Sequence, residues 1–192
     1  MNRADALLLL HEFVTRESLI NHMLAVEAAL RFYAKEFNED QELWGICGLL
    51  HDFDYEIHPD LNSHPAKGAS LLRDRNFPEE IILAILSHGV NSGVPRDNLL
   101  RKSLFACDEV TGLISACALV RPSKSLLDLE IPSIKNKWKN KSFAAGANRD
   151  EIEKGSQEIG IDLWEHVNNV LTAMKSIAPE LSLDGSLIGK NQ

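Results

Sequence analysis

The chain is rich in leucine and poor in valine, and this imbalance constrains its fold more than any other feature. Leucine occurs 28 times and valine only 8 times among the 192 residues. Leucine is a good helix former, whereas β-branched residues lose side-chain freedom in a helix. Stretches that alternate apolar and polar residues, as half-buried strands do, are nearly absent. The sequence therefore predicts an all-α fold.

Capping residues, prolines and loop-forming clusters divide the chain into nine predicted helices. Asn38, Pro78 and Pro95 each precede acidic residues, as residues at helix starts commonly do. The predicted helices cover residues 3–14, 17–37, 39–52, 65–75, 78–88, 95–120, 132–144, 149–157 and 161–177. We expect loops at 53–63, 89–95, 121–131 and 145–149, where Gly, Pro, Asn and Asp cluster.

Charge and cysteine content exclude several classes of protein. With 20 basic and 28 acidic residues, the net charge of −8 argues against general nucleic-acid binding and against attachment to an anionic membrane. Cys47, Cys107 and Cys117 form no CxxC pair and leave an odd thiol, so neither a disulfide framework nor a cysteine-based zinc site is expected. No stretch approaches the ~18 apolar residues of a membrane span. We expect a cytoplasmic protein.

Four histidines and two aspartates occur at positions that look buried. They are His22, His51, Asp52, His64, His88 and Asp108. Buried polar groups must find partners, and a shared metal ion is one economical solution, because imidazole and carboxylate groups bind Zn²⁺, Fe and Mn²⁺. The alternative is that each group has a hydrogen-bond partner of its own. This alternative requires that six buried polar residues occur in this order independently of one another. His11 and His166 have no place in this series, and we expect them to be structural.

The same residues resemble the motifs of the HD-domain superfamily of metal-dependent phosphohydrolases. The H…HD…D pattern of that family corresponds to His22, His51, Asp52 and Asp108. The segment His64-Pro65-Ala66-Lys67-Gly68-Ala69 resembles the HPxxGA segment of the two-metal branch, and His88 falls where that branch has its next histidine. The stretch 51–56 is similar to the HD-x-DYE stretch of small uncharacterised hydrolases of this superfamily.

The resemblance implies one helical-bundle domain of the HD type over residues 1–192, with one or two divalent transition-metal ions (Fe, Mn, Zn or similar). We expect a metal-binding core at about 16–120, a helical extension at about 121–180 and a frayed tail at 181–192. The first ion would be held by His22, His51, Asp52 and Asp108. The second would be held by His64 and His88, with Asp52 as a bridge between the two ions.

Two further acidic residues, Asp54 and Glu56, follow the His-Asp pair in a predicted loop. Together with Asp52 they are the candidate catalytic residues, either as a general acid or as carboxylates that orient histidine ligands. A solvated acidic loop is the alternative for both. After His88 the chain lacks the second histidine and the GYP motif of the family's cyclic-dinucleotide phosphodiesterases, so cyclic-di-GMP hydrolysis is not expected.

Positive charge is concentrated between Ser133 and Arg149, which contain five basic residues and no acidic one. The rest of the chain has 15 basic and 28 acidic residues, a net charge of −13. A phosphate ester needs cations beside the metals, so Lys137, Lys141 and Arg149 are the candidate substrate-binding residues. The alternative is a solvated face, because lysines spaced two apart are distributed around a helix.

The function expected from these features is hydrolysis of a small phosphorylated metabolite or nucleotide by a metal-activated water. A di-iron oxygenase on the same helical scaffold is the first alternative, because ligand types alone do not separate the two chemistries. A non-catalytic, metal-binding regulatory module is the second alternative. Turnover of phosphate esters and the metal content of the purified protein discriminate among the three.

Overall fold

A computed structural model describes residues 2–60, 62–89 and 92–188 of the chain. Within these residues there are nine helices and no strand, which confirms the all-α prediction. The helices are α1 (Arg3–Phe13), α2 (Glu17–Glu36), α3 (Gln41–Leu50), α4 (Ala66–Asp74), α5 (Glu79–His88), α6 (Leu99–Leu119), α7 (Ile131–Trp138), α8 (Arg149–Glu158) and α9 (Leu163–Ser176). In the described part of the chain, no helix combines the length and the apolar character that spanning a membrane requires.

The chain divides into two compact units, Met1–Phe105 and Ala106–Gln192, called here the first and the second unit. The boundary falls inside α6, which continues as one helix from the first unit into the second. The predicted single domain, with a metal-binding core at about 16–120 and an extension at about 121–180, therefore stays a prediction.

Capping side chains set the helix starts in the first unit. Asn2 and Asp5 form a reciprocal capping box at α1, each side chain accepting the backbone N–H of the other residue at 3.0–3.1 Å. The side chain of Asp40 accepts two backbone N–H groups at the start of α3. The predicted start at residue 39 is too early, because Asp40 is the N-cap residue and has an extended backbone conformation, with φ of −71° and ψ of 104°.

Two other predicted helices are each about five residues longer than those in the structure. The helix expected at 95–120 begins only at Leu99, because the side chain of Asn98 caps it by accepting the backbone N–H of Arg101 at 3.0 Å. The helix expected at 132–144 ends at Trp138. There the side chain of Asn140 accepts hydrogen bonds from the N–H and O–H groups of Ser142, a local turn that competes with helix formation.

The packing of α2 against α3 fixes the relative position of the two helices next to the predicted ligands. Val26, Leu30, Leu49 and Leu50 are completely buried. The two backbones approach so closely that a Cβ atom on Gly48 would lie 2.9 Å from backbone atoms of α2. Since α2 carries His22 and α3 leads directly into His51, this contact sets the separation of the two histidines.

The C-terminal segment of the second unit corrects a prediction. Leu181 and Leu183 are buried, and the carbonyl of Leu183 accepts a hydrogen bond of 2.7 Å from the N–H of Leu126. Asp184 forms an isolated antiparallel bridge with Ser125. The frayed tail predicted at 181–192 is therefore wrong up to Asp184, because apolar side chains fix this segment to the loop after α6. Residues 189–192 of that predicted tail lie outside the described residues.

His166 on α9 is structural, as expected. Its ring is fully buried, and Nε2–H donates a hydrogen bond of 2.8 Å to the carbonyl of Ala106 within the second unit. Burial lowers the pKa of His166 to about 4, because a charged imidazole is costly in an apolar environment.

We expect Gly48→Ala to lower the free energy of unfolding by about 1–3 kcal/mol, because the added methyl group forces the backbones of α2 and α3 apart. The matched control is Gly112→Ala in α6, where a Cβ would meet nothing within 4 Å. That control should be neutral or stabilising by up to about 1 kcal/mol, since alanine is the better helix former. Urea unfolding measures both. A Gly48→Ala variant as stable as wild type would contradict the close approach.

The buried His166 should make the protein less stable in mild acid. The unfolded chain binds a proton at this residue near pH 6.5, whereas the folded chain does so only near pH 4. The contribution is complete above pH 6.5 and is lost as the pH falls toward 4, by about 3 kcal/mol. Urea unfolding between pH 4 and 7 should show a shallower decline for His166→Gln, which can still donate to the Ala106 carbonyl. Parallel declines would show that His166 does not carry the effect.

Candidate metal centre

Five of the six predicted ligands lie together in the first unit, although they come from four different elements. His22 is in the second turn of α2, and His51 and Asp52 are in the turn that directly follows α3. His64 lies in the turn before α4, and His88 is the last residue of α5. The ends of the helices therefore supply most of the cluster.

Three of the histidine rings are held through their Nδ1 atoms. Nδ1–H of His51 donates to the carbonyl of Gly48 at 2.8 Å, and Nδ1–H of His88 donates to the carbonyl of Ile85 at 2.5 Å. The corresponding atom of His64 donates to the carboxylate of a buried aspartate, described below, at 2.8 Å. Since Nδ1 carries the proton in each neutral ring, Nε2 is left with a lone pair that can bind a metal.

The Nε2 atoms converge on Asp52. Oδ1 of Asp52 lies 3.1 Å from Nε2 of His64 and 3.3 Å from Nε2 of His88. Oδ2 of the same carboxylate lies 3.6 Å from Nε2 of His51 and 3.9 Å from Nε2 of His22. One oxygen therefore faces each pair of histidines.

The spacing of these atoms fits a bound transition-metal ion. The two Nε2 atoms are 3.1 Å apart in the His64–His88 pair and 3.2 Å apart in the His22–His51 pair. Neighbouring ligands of one ion, each at ~2.1 Å, are separated by about 3.0–3.4 Å in octahedral or tetrahedral geometry. Two unprotonated nitrogens this close repel each other, and either a shared proton or a metal ion between them removes the repulsion. The donor set of imidazole and carboxylate suits Zn²⁺, Fe and Mn²⁺.

The pKa shifts of two side chains also indicate that positive charge stabilises the cluster. Burial opposes ionisation of Asp52, but the histidines around it hold the pKa of its carboxyl well below the ordinary range. Burial also acts to lower the pKa of His64, but hydrogen bonds to two aspartates outweigh it and raise that pKa to about 9. In the metal-free protein a proton on His64 therefore supplies positive charge at neutral pH, and a metal ion would displace it.

Asp54 orients His64 from a completely buried position. Its Oδ1 accepts the Nδ1–H of His64, and its Oδ2 accepts the backbone N–H of Gly68, both at 2.8 Å. A Cβ atom on Gly68 would lie 2.6 Å from the carboxyl carbon of Asp54. Asp54 is therefore not part of a solvated loop, and its contacts support the second role considered from the sequence, the orientation of a histidine ligand; a role as general acid stays a prediction. It is a carboxylate that positions a histidine, and the glycine makes room for it.

The sixth predicted ligand, Asp108, lies in the second unit. It is half-buried on α6, one turn after the fully buried Leu104. Its role as a ligand stays a prediction.

A comparison with protein-family models identifies this arrangement. The model of the HD domain matches residues 19–112, which include all six predicted ligands. The chain is a member of the HD-domain superfamily. HD domains are typically metal-dependent phosphohydrolases, and the histidine and aspartate side chains of this one include groups that could hold a divalent metal ion. No solved structure matches the chain significantly.

In this HD domain Glu56 makes structural hydrogen bonds, and its catalytic role stays a prediction. Its carboxylate accepts the N–H and O–H of Thr15 at 3.1 and 2.6 Å and the N–H of Arg16 at 3.0 Å. These groups lie at the start of α2, where backbone N–H groups have no helical partner. The hydrogen bonds from Thr15 and Arg16 lower the pKa of Glu56 to about 2. Glu56 thus fixes the loop after α3 to the helix that carries His22.

The three predicted substrate-binding cations differ in their surroundings within the second unit. The guanidinium of Arg149 donates to the carbonyls of Phe143, Ala144 and Ala147 at 2.5–2.6 Å, so it closes the turn before α8. These contacts compete with substrate binding by Arg149, which stays a prediction. The ammonium of Lys137 lies 5.0 Å from the ring centre of Phe143, and Lys141 is exposed. Substrate binding by these two lysines stays a prediction.

Sequence reasoning missed the roles of two residues near the cluster. Gly68 was noted only as part of the HPxxGA segment, although the spacing of that segment from the His-Asp pair could have indicated a contact with Asp54. Tyr55, whose ring lies 5.3 Å from that of His64, was noted only within the HD-x-DYE stretch. In both cases the sequence indicates only that the residue belongs to a motif but has no role in the predicted metal site.

We expect Gly68→Ala to weaken Zn²⁺ binding about 10- to 100-fold, because the added methyl group displaces the carboxylate that orients His64. Isothermal titration calorimetry of the metal-free protein measures this affinity. The control is Lys67→Ala, which alters an exposed side chain in the same turn of α4. Wild-type affinity in Gly68→Ala would show that the contact between Asp54 and Gly68 does not support the metal centre.

Proposed function

We propose that this HD domain is a metal-dependent phosphohydrolase that acts on a small phosphorylated metabolite or nucleotide. The observation that carries the proposal is the position of Asp52, whose two carboxylate oxygens face two different pairs of histidines. A carboxylate in this position is suited to bridge two ions. Paired ions are a recurrent arrangement in enzymes that hydrolyse phosphate esters.

In this proposal the ligands form two sets that share Asp52. Asp52, His64 and His88 each offer one ligand atom, all within 4.8 Å of one another. His22 and His51 provide a second pair of nitrogens, and the HD pattern adds Asp108 to them. Fe, Mn and Zn ions all suit these nitrogen and oxygen donors.

Hydrogen bonds within the protein hold the candidate ligands in position before an ion binds. Bound divalent ions lower the pKa of a water ligand and neutralise charge on phosphoryl oxygens. The Nδ1 contacts described above fix three of the ligand rings, so that little reorganisation is needed when an ion binds. His51 is completely buried and the side chain of His88 is only 7% exposed. Much of the cluster is therefore shielded from bulk water.

The family and the charge distribution support the proposed substrate class. Lys137 and Lys141 belong to the acid-free basic stretch, and they remain our candidates for neutralising a phosphate group. An acidic protein otherwise repels a phosphate ester, so positive charge near the substrate is needed. A phosphomonoester, which carries more charge than a diester, should gain more from these lysines.

Reconstitution with metal tests the proposal directly. Protein stripped of metal should not hydrolyse a panel of nucleotides and sugar phosphates, and protein reloaded with Mn²⁺, Zn²⁺ or Fe²⁺ should hydrolyse at least one of them. Oxygen consumption by the iron-loaded protein without phosphate release would favour the oxygenase. Tight metal binding without either activity would favour a regulatory module.

We expect Asp52→Ala to lose both ions and all activity, because it removes the shared ligand and the negative charge between the ions. His88→Ala should keep at least one ion, since the His22–His51 pair is intact. The control is Asp74→Ala, which removes an exposed carboxylate at the end of α4. Metal content by atomic emission and phosphate release measure the outcome. Equal metal content in Asp52→Ala and wild type would contradict the bridging role.

A further inference from the structure

The tripeptide Asp54-Tyr55-Glu56 is fixed on both sides of its tyrosine. Asp54 is buried between His64 and Gly68, and Glu56 is hydrogen-bonded to the start of α2. The backbone N–H of Tyr55 also donates to the carbonyl of Asp52 at 2.9 Å. These contacts hold the backbone of Tyr55 in one position beside the metal centre.

The side chain of Tyr55 is partly exposed, whereas that of the preceding aromatic residue is buried. Phe53, two residues earlier, is completely buried and packs edge-to-face on Phe13 with 5.5 Å between the ring centres. Tyr55 is 37% exposed, although its ring lies 5.3 Å from the ring of His64 at an angle of 87°. Within the described part of the chain its hydroxyl group makes no hydrogen bond. Packing alone therefore does not account for a phenol at this position.

We propose that Tyr55 is a substrate-contact residue whose phenolic O–H donates a hydrogen bond to the phosphoryl group of a phosphate ester at the metal centre. The inference rests on the proposed phosphohydrolase function and adds a named residue to it. A phosphoryl oxygen is a strong, charged acceptor, and a hydroxyl donor beside it strengthens binding without adding a charge that would repel the metal ions. The ring of Tyr55 lies 5.3 Å from the ring of His64, whose Nε2 is one of the candidate ligand atoms.

Binding of inorganic phosphate to the metal-loaded protein tests this role without relying on turnover. The change is Tyr55→Phe, which removes the hydroxyl group and keeps the ring against His64. We expect the dissociation constant for phosphate to rise about tenfold or more, the usual effect of losing a hydrogen bond to a charged group. The control is Ile57→Ala, an exposed side chain in the same loop, which should bind phosphate like wild type. Zn²⁺ affinity, measured in parallel, should be unchanged in both variants.

The outcomes separate this inference from the function on which it rests. If wild type binds phosphate and Tyr55→Phe binds it equally well, Tyr55 is not a phosphate contact, whereas the proposed function stands. If Tyr55→Phe loses Zn²⁺ affinity together with phosphate affinity, the residue acts through His64, and the substrate contact is overturned. If the metal-loaded wild type binds no phosphate and hydrolyses no ester, the proposed function itself fails and the inference fails with it.

Discussion

The convergence of imidazole lone pairs on the carboxylate of Asp52 is the interaction on which the first unit depends. The Nε2 atoms lie 3.1–3.2 Å apart within two pairs, a separation that suits a shared proton or a metal ion between them. A proton on His64 serves only the His64–His88 pair. A metal ion in each pair would satisfy all of the nitrogens and the carboxylate together. The turns and helix ends that carry these residues are held in place by contacts directed at this cluster.

Two of the candidate ligands are oriented by the same kind of hydrogen bond at the end of a helix. His51 follows α3 and His88 ends α5, and each donates Nδ1–H to the carbonyl three residues earlier. Carbonyls in the last turn of a helix have no helical donor, so this bond satisfies them and fixes the ring at once. His64 precedes its helix and has no such carbonyl, and Asp54 therefore takes the role of acceptor. One bonding rule thus explains why His64 needs a buried carboxylate, whereas His51 and His88 do not.

Local patterns made much of this arrangement predictable. The helical fold is predictable from the leucine content and the caps, and the grouping of the candidate ligands is predictable from polar residues on apolar faces and from the HD motif. The contacts that local patterns do not predict are those whose partners lie far away in sequence or in unexpected turns. Glu56 bonds to Thr15, and Leu183 bonds to Leu126, and neither pairing has a periodic signal. Arg149 was assigned from its charge, although its N–H groups are used by nearby carbonyls, which composition cannot show.

Anomalous diffraction from crystals of the protein soaked in Zn²⁺ tests the central claim most directly, because it locates the ion among named atoms. The account predicts a peak about 2.0–2.2 Å from Nε2 of His64, Nε2 of His88 and a carboxylate oxygen of Asp52. A second peak is expected beside His22 and His51. Crystals that bind Zn²⁺ only elsewhere, with Nε2 of His64 still hydrogen-bonded to Asp52, would contradict it.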